Sequence, residues 1–501
     1  MTISITNIAK NSLKFSTVQV IGAVISTLAS MYIATIILPE EYGVYGFLGL
    51  WLTYAGLVTP GIMSAGSREM PGLLGKGKVQ EAIRIQNVSL TPEMLYSLLP
   101  FAVILISAFF FTDSVIRTGM IIIAFSYFTA RLANFWSNYN FIREKFNTIA
   151  VGNLIQVIAV PVITVICLNW LKINALLLAP LIVNIALWIY YLKRGPIGYR
   201  FQIDRSEITR LLKIGIVLQG GTLVFWAYQL MDRTLIASML TQEQLGLYTF
   251  AIGFVTLALN LPISFTNVLQ PVLWRHADKG DNVLESFKDA KRIAIYLALG
   301  TALLVPLVQL GFYIIVNLVT KNYTGSIPIF DILSYNIYLA AIITIPSLVL
   351  TSSIVNKQKT ILLFYAIGLV INIVFNILII KLGYGVVGVA WVTIASQALL
   401  TLTVYYFTRR YMFVNKAEYF KLQIKMLVPF LVSIVFYFFH RYLESSFPGI
   451  KAFTGLSLAA QAVIWGLLIG GFYRDYLSVK EIKALIAQIK EDIRPGKAER
   501  Q

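Results

Sequence analysis

The chain has 501 residues, of which 58% are hydrophobic and 13% charged, with a formal net charge of +18. That apolar content exceeds what the interior of a soluble protein of this size accommodates, so lipid is the solvent for much of the surface. The surplus Lys and Arg fall in alternate connections between apolar runs, which excludes nucleic acid as the partner and marks a membrane orientation.

A spanning helix needs roughly 20 mostly apolar residues. The runs 15–38, 43–65, 92–112, 117–139, 148–170 and 174–192 predict six such helices. Six more are predicted at 213–240, 246–272, 293–318, 328–355, 360–381 and 385–408, and a final pair at 426–443 and 452–473. The expected fold is an all-α membrane protein of about fourteen transmembrane helices. The first run ends at Pro39 without a small-residue cleavage site, so it reads as a spanning helix and not as a cleaved signal.

Basic residues gather in every second connection. One set holds Lys10 and Lys14, then Arg68, Lys76, Lys78 and Arg84, then Arg143 and Lys145, then 193–213 and 275–292; the opposite connections are nearly free of them. The positive-inside rule then puts both termini in the cytoplasm. Beyond 475, Val479, Ile482, Leu485, Ile486 and Ile489 recur at helical spacing among lysines, predicting an amphipathic cytoplasmic tail over 476–501. Cys167 has no partner and His276 and His440 stand far apart, so neither a disulfide framework nor a metal cluster is expected.

The chain also repeats itself. With one inserted residue, Leu38, Glu41, Gly43, Tyr45 and Phe47 align with Leu240, Glu243, Gly246, Tyr248 and Phe250. Both segments follow a helix of the same polarity, so the halves read as parallel repeats about an axis along the membrane normal. The predicted division is a six-helix bundle at 1–212, a second at 213–415, two additional helices at 416–475 and the tail.

Polar residues inside these apolar helices are costly and need a cavity or a partner. Arg131 shares a predicted helix face with Tyr127, Asn134 and Asn138, and the seventh helix carries Gln219, Thr222, Trp226, Gln229 and Arg233 at spacings of three and four. The eighth adds Thr256, Asn260, Ser264 and Asn267. Guanidinium groups suit a lipid pyrophosphate because their charge is permanent and their donors fork onto its oxygens. The substrate-binding candidates are therefore Arg131, Arg233, Arg68 at the inner end of the second helix, Asn134, Asn138, Gln219, Trp226, Gln229 and Asn260. The alternative for Arg233 is pairing with a carboxylate such as Asp232, and for Arg131 snorkelling to the cytoplasmic surface. Gly72 to Lys78 has the glycine-lysine spacing of a phosphate loop, but Val79 replaces the hydroxyl residue and no strand precedes it.

Three segments together resemble a known family. They are Leu38-Pro39-Glu40-Glu41-Tyr42-Gly43-Val44-Tyr45, the Asp232-Arg233 pair ahead of Leu235 to Leu240 with Glu243-Gln244-Leu245-Gly246-Leu247-Tyr248, and Asn372 and Asn376 followed by Gly383 to Ala390. They are similar to the polysaccharide flippases, of the O-antigen and exopolysaccharide type, in the multidrug/oligosaccharidyl-lipid/polysaccharide exporter superfamily. The resemblance implies two six-helix bundles around a central cavity, alternating access, no enzymatic activity and a polyprenyl-pyrophosphate-linked oligosaccharide as substrate. It further implies a bacterial inner-membrane location among membrane lipid and other glycan-assembly proteins. No cofactor is expected beyond a coupling ion, Na+ or H+. Resemblance to lipid II flippases suggests a sodium site from Asp232, Asn372, Asn376 and Thr393, although Asn376 stands where those proteins tend to have a second acid. A drug exporter of the same fold, and a membrane glycan polymerase or glycosyltransferase, are the competing readings.

Overall fold

The computed structural model describes residues 22 and 24–472 except 144, 195–198, 278–286, 353 and 447–450. The predicted tail at 476–501 lies outside these residues. Among the described residues the chain is helical, with no strand. Eleven helices are long and apolar enough to cross a membrane. A bent pair, Pro39–Leu57 with Ile62–Gly75, passes the same test as one broken span, and shorter apolar helices lie at Val24–Ile36 and Gly455–Leu467, where the first and last spans are predicted. The outside of the molecule is what lipid requires: Phe110, Trp170 and Val217 are each more than two thirds exposed, which water would penalise.

Chain contacts divide the protein into two compact units, 11–246 and 247–501. The first contains α1 (Val24–Ile36), α2 (Pro39–Leu57), α3 (Ile62–Gly75), α4 (Val79–Ala108), α5 (Ser114–Ile142), α6 (Phe146–Leu171), α7 (Ile173–Arg194) and α8 (Arg205–Met239). The unit boundary falls at Gly246, whereas the sequence reading divides the bundles after 212, because α8 packs along α2 and α3.

Local chemistry explains where these helices start. Pro39 occupies the first turn of α2, where its missing N–H costs nothing, and the Glu41 carboxylate accepts from the Leu38 N–H at 3.1 Å. Asp113 caps α5 by accepting from the Val115 and Ile116 N–H groups at 2.7 and 3.2 Å. Between α2 and α3 the chain turns by 50° at Pro60-Gly61. Gly61 has φ +71°, and a Cβ there would sit 2.4 Å from the Gly215 carbonyl oxygen, so both conformation and contact demand glycine.

The repeated glycines meet each other. A Cβ on Gly43 would lie 1.8 Å from the Gln242 carbonyl oxygen, and one on Gly246 would lie 1.7 Å from that of Pro39. The motif that defines the repeat in the sequence is thus a reciprocal backbone contact in space. Tyr54 of α2 also shares a hydrogen bond of 2.7 Å with Thr234 of α8.

The segment holding Arg68, Lys76, Lys78 and Arg84, expected to be a loop, is helical. It forms α3, a short turn and the first residues of α4. Ile62, Ala65 and Met70 of α3 are buried, and that apolar face folds the segment onto its neighbours.

The second unit contains α9 (Gln242–Ala277) from its second turn, α10 (Lys288–Leu318), a 3-10 turn (Lys321–Ser326), α11 (Ile327–Leu333), α12 (Tyr335–Thr351), α13 (Gln358–Lys381), α14 (Gly385–Met412), α15 (Lys416–Ser446) and α16 (Lys451–Phe472). The tenth predicted span falls in Lys321–Thr351, which is long and apolar enough to cross a membrane as one stretch, and within it the Ser334 hydroxyl accepts from Gln309 Nε2 at 2.8 Å. The last two helices dock on this unit, and α15 is fixed to α12 by Tyr335 Oη and Tyr338 Oη, which donate to the Ser433 and Met426 carbonyls at 2.8 and 2.5 Å.

Candidate functional site

The sequence places a permanent charge, Arg131, in the middle of an apolar helix, and the structure supplies its partner. Arg131 Nη2 donates to Glu93 Oε1 of α4 at 2.6 Å. Glu93 is 4% exposed and Arg131 is largely covered. The Arg131 guanidinium thus has a counter-charge within the protein. A buried ion pair is about neutral against a well-packed apolar replacement, whereas removing one partner costs about 3–5 kcal/mol. Stability alone does not explain its presence.

Glu93 is a site residue that sequence reasoning missed. Its span is predicted to begin at 92, which leaves Glu93 at a helix end, but α4 runs from Val79 and carries Glu93 at its centre. A carboxylate following Leu90-Thr91-Pro92 and preceding an apolar run was the available signal. Asp232 is accordingly one of several buried carboxylates, with Glu93 and Asp331 equally covered.

Beside this pair lies a cavity of about 400 Å³ inside the first unit. From α5 it is lined by Ser126, Tyr127, Arg131, Asn134 and Ser137; α6 contributes Asn153 and Gln156, and α7 contributes Asn184 and Tyr191. Tyr127 is 2% exposed and its hydroxyl has no hydrogen-bond partner among the described residues. Leaving a buried hydroxyl unpaired costs about 1–3 kcal/mol. Tyr191 packs closely on α6, where a Cβ on Gly152 would come 2.0 Å from its hydroxyl oxygen. No carboxylate lines this cavity among the described residues.

The remaining candidates divide. Asn134 lines the cavity, whereas Asn138, predicted on the same face, bonds Ser67 of α3 at 3.1 Å. Gln219 Nε2 donates to the Leu57 carbonyl at 2.7 Å, closing the end of α2. Trp226 is 42% exposed on α8, Gln229 is half-buried on the same helix, and Arg68 is exposed on α3. Arg233 Nε is buried without an acceptor, and the Arg233 N–H donates to Asp232 Oδ1 at 2.8 Å. In the second unit Asn260 is exposed on α9, Asn376 Nδ2 donates to Asn372 Oδ1 at 2.9 Å, and Thr393 Oγ1 donates to the Val389 carbonyl. Asp232 belongs to the first unit and the asparagine pair to the second. Among the described residues no group of three or more His, Cys, Asp or Glu is placed to hold a metal. Cys167 is a free thiol.

Outside the apolar region several basic residues are paired with carboxylates. Arg84 pairs with Asp204 at 2.5 Å, and Arg210 reaches both Glu69 and Glu207. The Arg84 guanidinium, then the Ser206 hydroxyl and the Glu207 N–H, hold the Asp204 carboxyl down to about 2.

Residues 32–327 match the family described as Polysaccharide biosynthesis protein. The chain belongs to that family. No curated relative matches it by sequence. Its fold is that of the lipid II flippase MurJ in an inward closed conformation, at TM-score 0.67 and 15% identity, covering 92% of this chain and 99% of that one. An inward-facing multidrug resistance transporter of the MOP superfamily matches at TM-score 0.57 and 12% identity over 82% of this chain and 99% of that one. A MOP superfamily transporter from Pyrococcus furiosus, described as having a binding pocket of reversed polarity, matches at 0.52 and 14% over 80% and 95%. At these identities the likeness establishes the fold alone, and the apolar helices long enough to cross a membrane make this family member a multi-pass membrane protein.

Proposed function

We propose that this protein is a flippase that carries a polyprenyl-pyrophosphate-linked oligosaccharide from the cytoplasmic to the outer leaflet of a bacterial inner membrane. The observation that carries the reading is the combination of a polysaccharide-biosynthesis sequence with a fold shared by a lipid II flippase. In this reading the basic connections and both termini face the cytoplasm. The contact of Gly43 with Gly246, inside the first unit, then lies toward the outer side of the membrane.

In this reading the two arginines have different tasks. Arg131 is already compensated by Glu93, so Arg233, with a buried donor that lacks an acceptor, is the better group to meet the pyrophosphate. Asp232 is the carboxylate assigned to a coupling proton or sodium ion. A drug exporter of the same fold would need acidic lining to hold organic cations, and the cavity of the first unit has none among its described residues.

The test is made in cells depleted of the protein. Lipid-linked oligosaccharide should accumulate and be out of reach of an impermeant glycan-binding probe added outside. Restoration by wild type but not by Arg233→Ala supports the reading. Unchanged lipid-linked glycan on depletion, with altered drug sensitivity, would overturn it.

A further inference from the structure

The cavity between α5, α6 and α7 is distinct from the arginine assigned to the pyrophosphate, and its wall has a chemistry of its own. Four amides from three helices, Asn134, Asn153, Gln156 and Asn184, border it, and none is engaged in a hydrogen bond with another described residue. Primary amides offer two donors and a two-lone-pair acceptor each, so together they present a surface that both gives and takes hydrogen bonds without carrying charge. The Tyr127 hydroxyl, buried and unpartnered, adds one more group that can do either.

Charge narrows the ligand. A cation entering here would find no carboxylate on the wall and one arginine nearby. A pyrophosphate would find that arginine already engaged by Glu93 at 2.6 Å, and most of its charge would stay uncompensated in a region of low dielectric. A neutral molecule dense in hydroxyl groups meets neither obstacle. The volume of about 400 Å³ falls in the range of small-molecule sites, and Asn134 and Gln156 are exposed, so the wall is open on their side.

We infer that this cavity binds one neutral sugar ring, held by the amides of α5, α6 and α7 and by the Tyr127 hydroxyl. The inference rests on the lipid-linked glycan reading for the source of that sugar, and on the cavity alone for its chemistry. Binding inside one bundle gives the glycan a contact separate from its pyrophosphate, so headgroup charge and sugar identity are read by different residues.

Saturation-transfer NMR on the full-length protein in nanodiscs tests this, with the methyl glycosides of glucose, galactose and N-acetylglucosamine as probes. Wild type is expected to transfer saturation to at least one of them, with inorganic pyrophosphate failing to compete. Tyr127→Phe removes only a hydroxyl bonded to nothing in the protein, so folding is retained and affinity falls about tenfold, the equivalent of one hydrogen bond. Asn184→Leu is the second variant and should act in the same direction. No transfer from wild type, equal transfer from both variants, or displacement by pyrophosphate each overturns the inference. Should sugar binding hold while depletion leaves lipid-linked glycan unchanged, the site takes free sugar and only the flippase reading fails. Flipping without sugar binding would remove this inference and leave the flippase reading intact.

Discussion

Arg131 and Glu93 show how a single contact is tested by removing its halves. Glu93→Gln leaves a guanidinium buried without its counter-charge and should destabilise the protein by about 3–5 kcal/mol. The double replacement Glu93→Leu with Arg131→Met should recover most of that loss in a thermal melt in detergent. Equal losses in the single and double variants would mean that the two residues do not act as a unit. Asp204 provides a second residue-scale prediction. Its folded carboxyl titrates near 2, below its unfolded value, so its contribution is complete above about pH 4 and disappears as the pH falls through 2. The melting-temperature gap between wild type and Asp204→Asn should therefore be constant at neutral pH and close in that acid window. Arg131 was legible in the sequence because a charge in an apolar helix stands out at any register. Glu93 was not, because hydropathy locates the apolar part of a helix and α4 begins thirteen residues ahead of its predicted start.

At the level of helices, the reciprocal contact of Gly43 and Gly246 is the most sensitive point. The atom that a new Cβ would strike is backbone in both directions, so it cannot move aside as a flexible side chain would. Gly246→Ala should cost about 1–3 kcal/mol, the range for overpacking a filled contact. Gly49→Ala on the same helix as Gly43 meets nothing within 4 Å and should be neutral or slightly stabilising, because alanine favours the helix. A melt in which both variants lose equally would show that the effect is generic to glycine and not to the contact. The repeat itself was visible in the sequence, since both glycines stand at aligned positions. That the two copies touch was not, because a repeat defines equivalence and not adjacency. Helix breaks followed the same pattern. A Gly-Gly pair is a local signal for a bend, yet α8 runs unbroken through Gly220 and Gly221, and the 50° turn lies between α2 and α3 at Pro60-Gly61. There a positive φ and a close neighbour coincide.

For the molecule as a whole, the sign of the cavity wall separates the transport readings. A lipophilic cation such as tetraphenylphosphonium should show no saturable binding to the purified protein, because nothing on that wall compensates its charge. Saturable binding that survives in the presence of methyl glycosides would favour a drug exporter. What the sequence determined by itself was the solvent, the order and rough limits of the spans and the alternation of basic connections, which follow from composition and periodicity along one dimension, and the family, which short motifs mark by resemblance. Helical periodicity also put Arg131, Asn134 and Asn138 on one face. It did not say which helix that face meets at each level, and the tertiary structure sends Asn138 to Ser67 while Asn134 opens onto the cavity. The partner of Arg131, the amides of α6 and α7 and the meeting of the repeated glycines were likewise decided only by packing, because each joins residues from different helices and no local pattern encodes that choice.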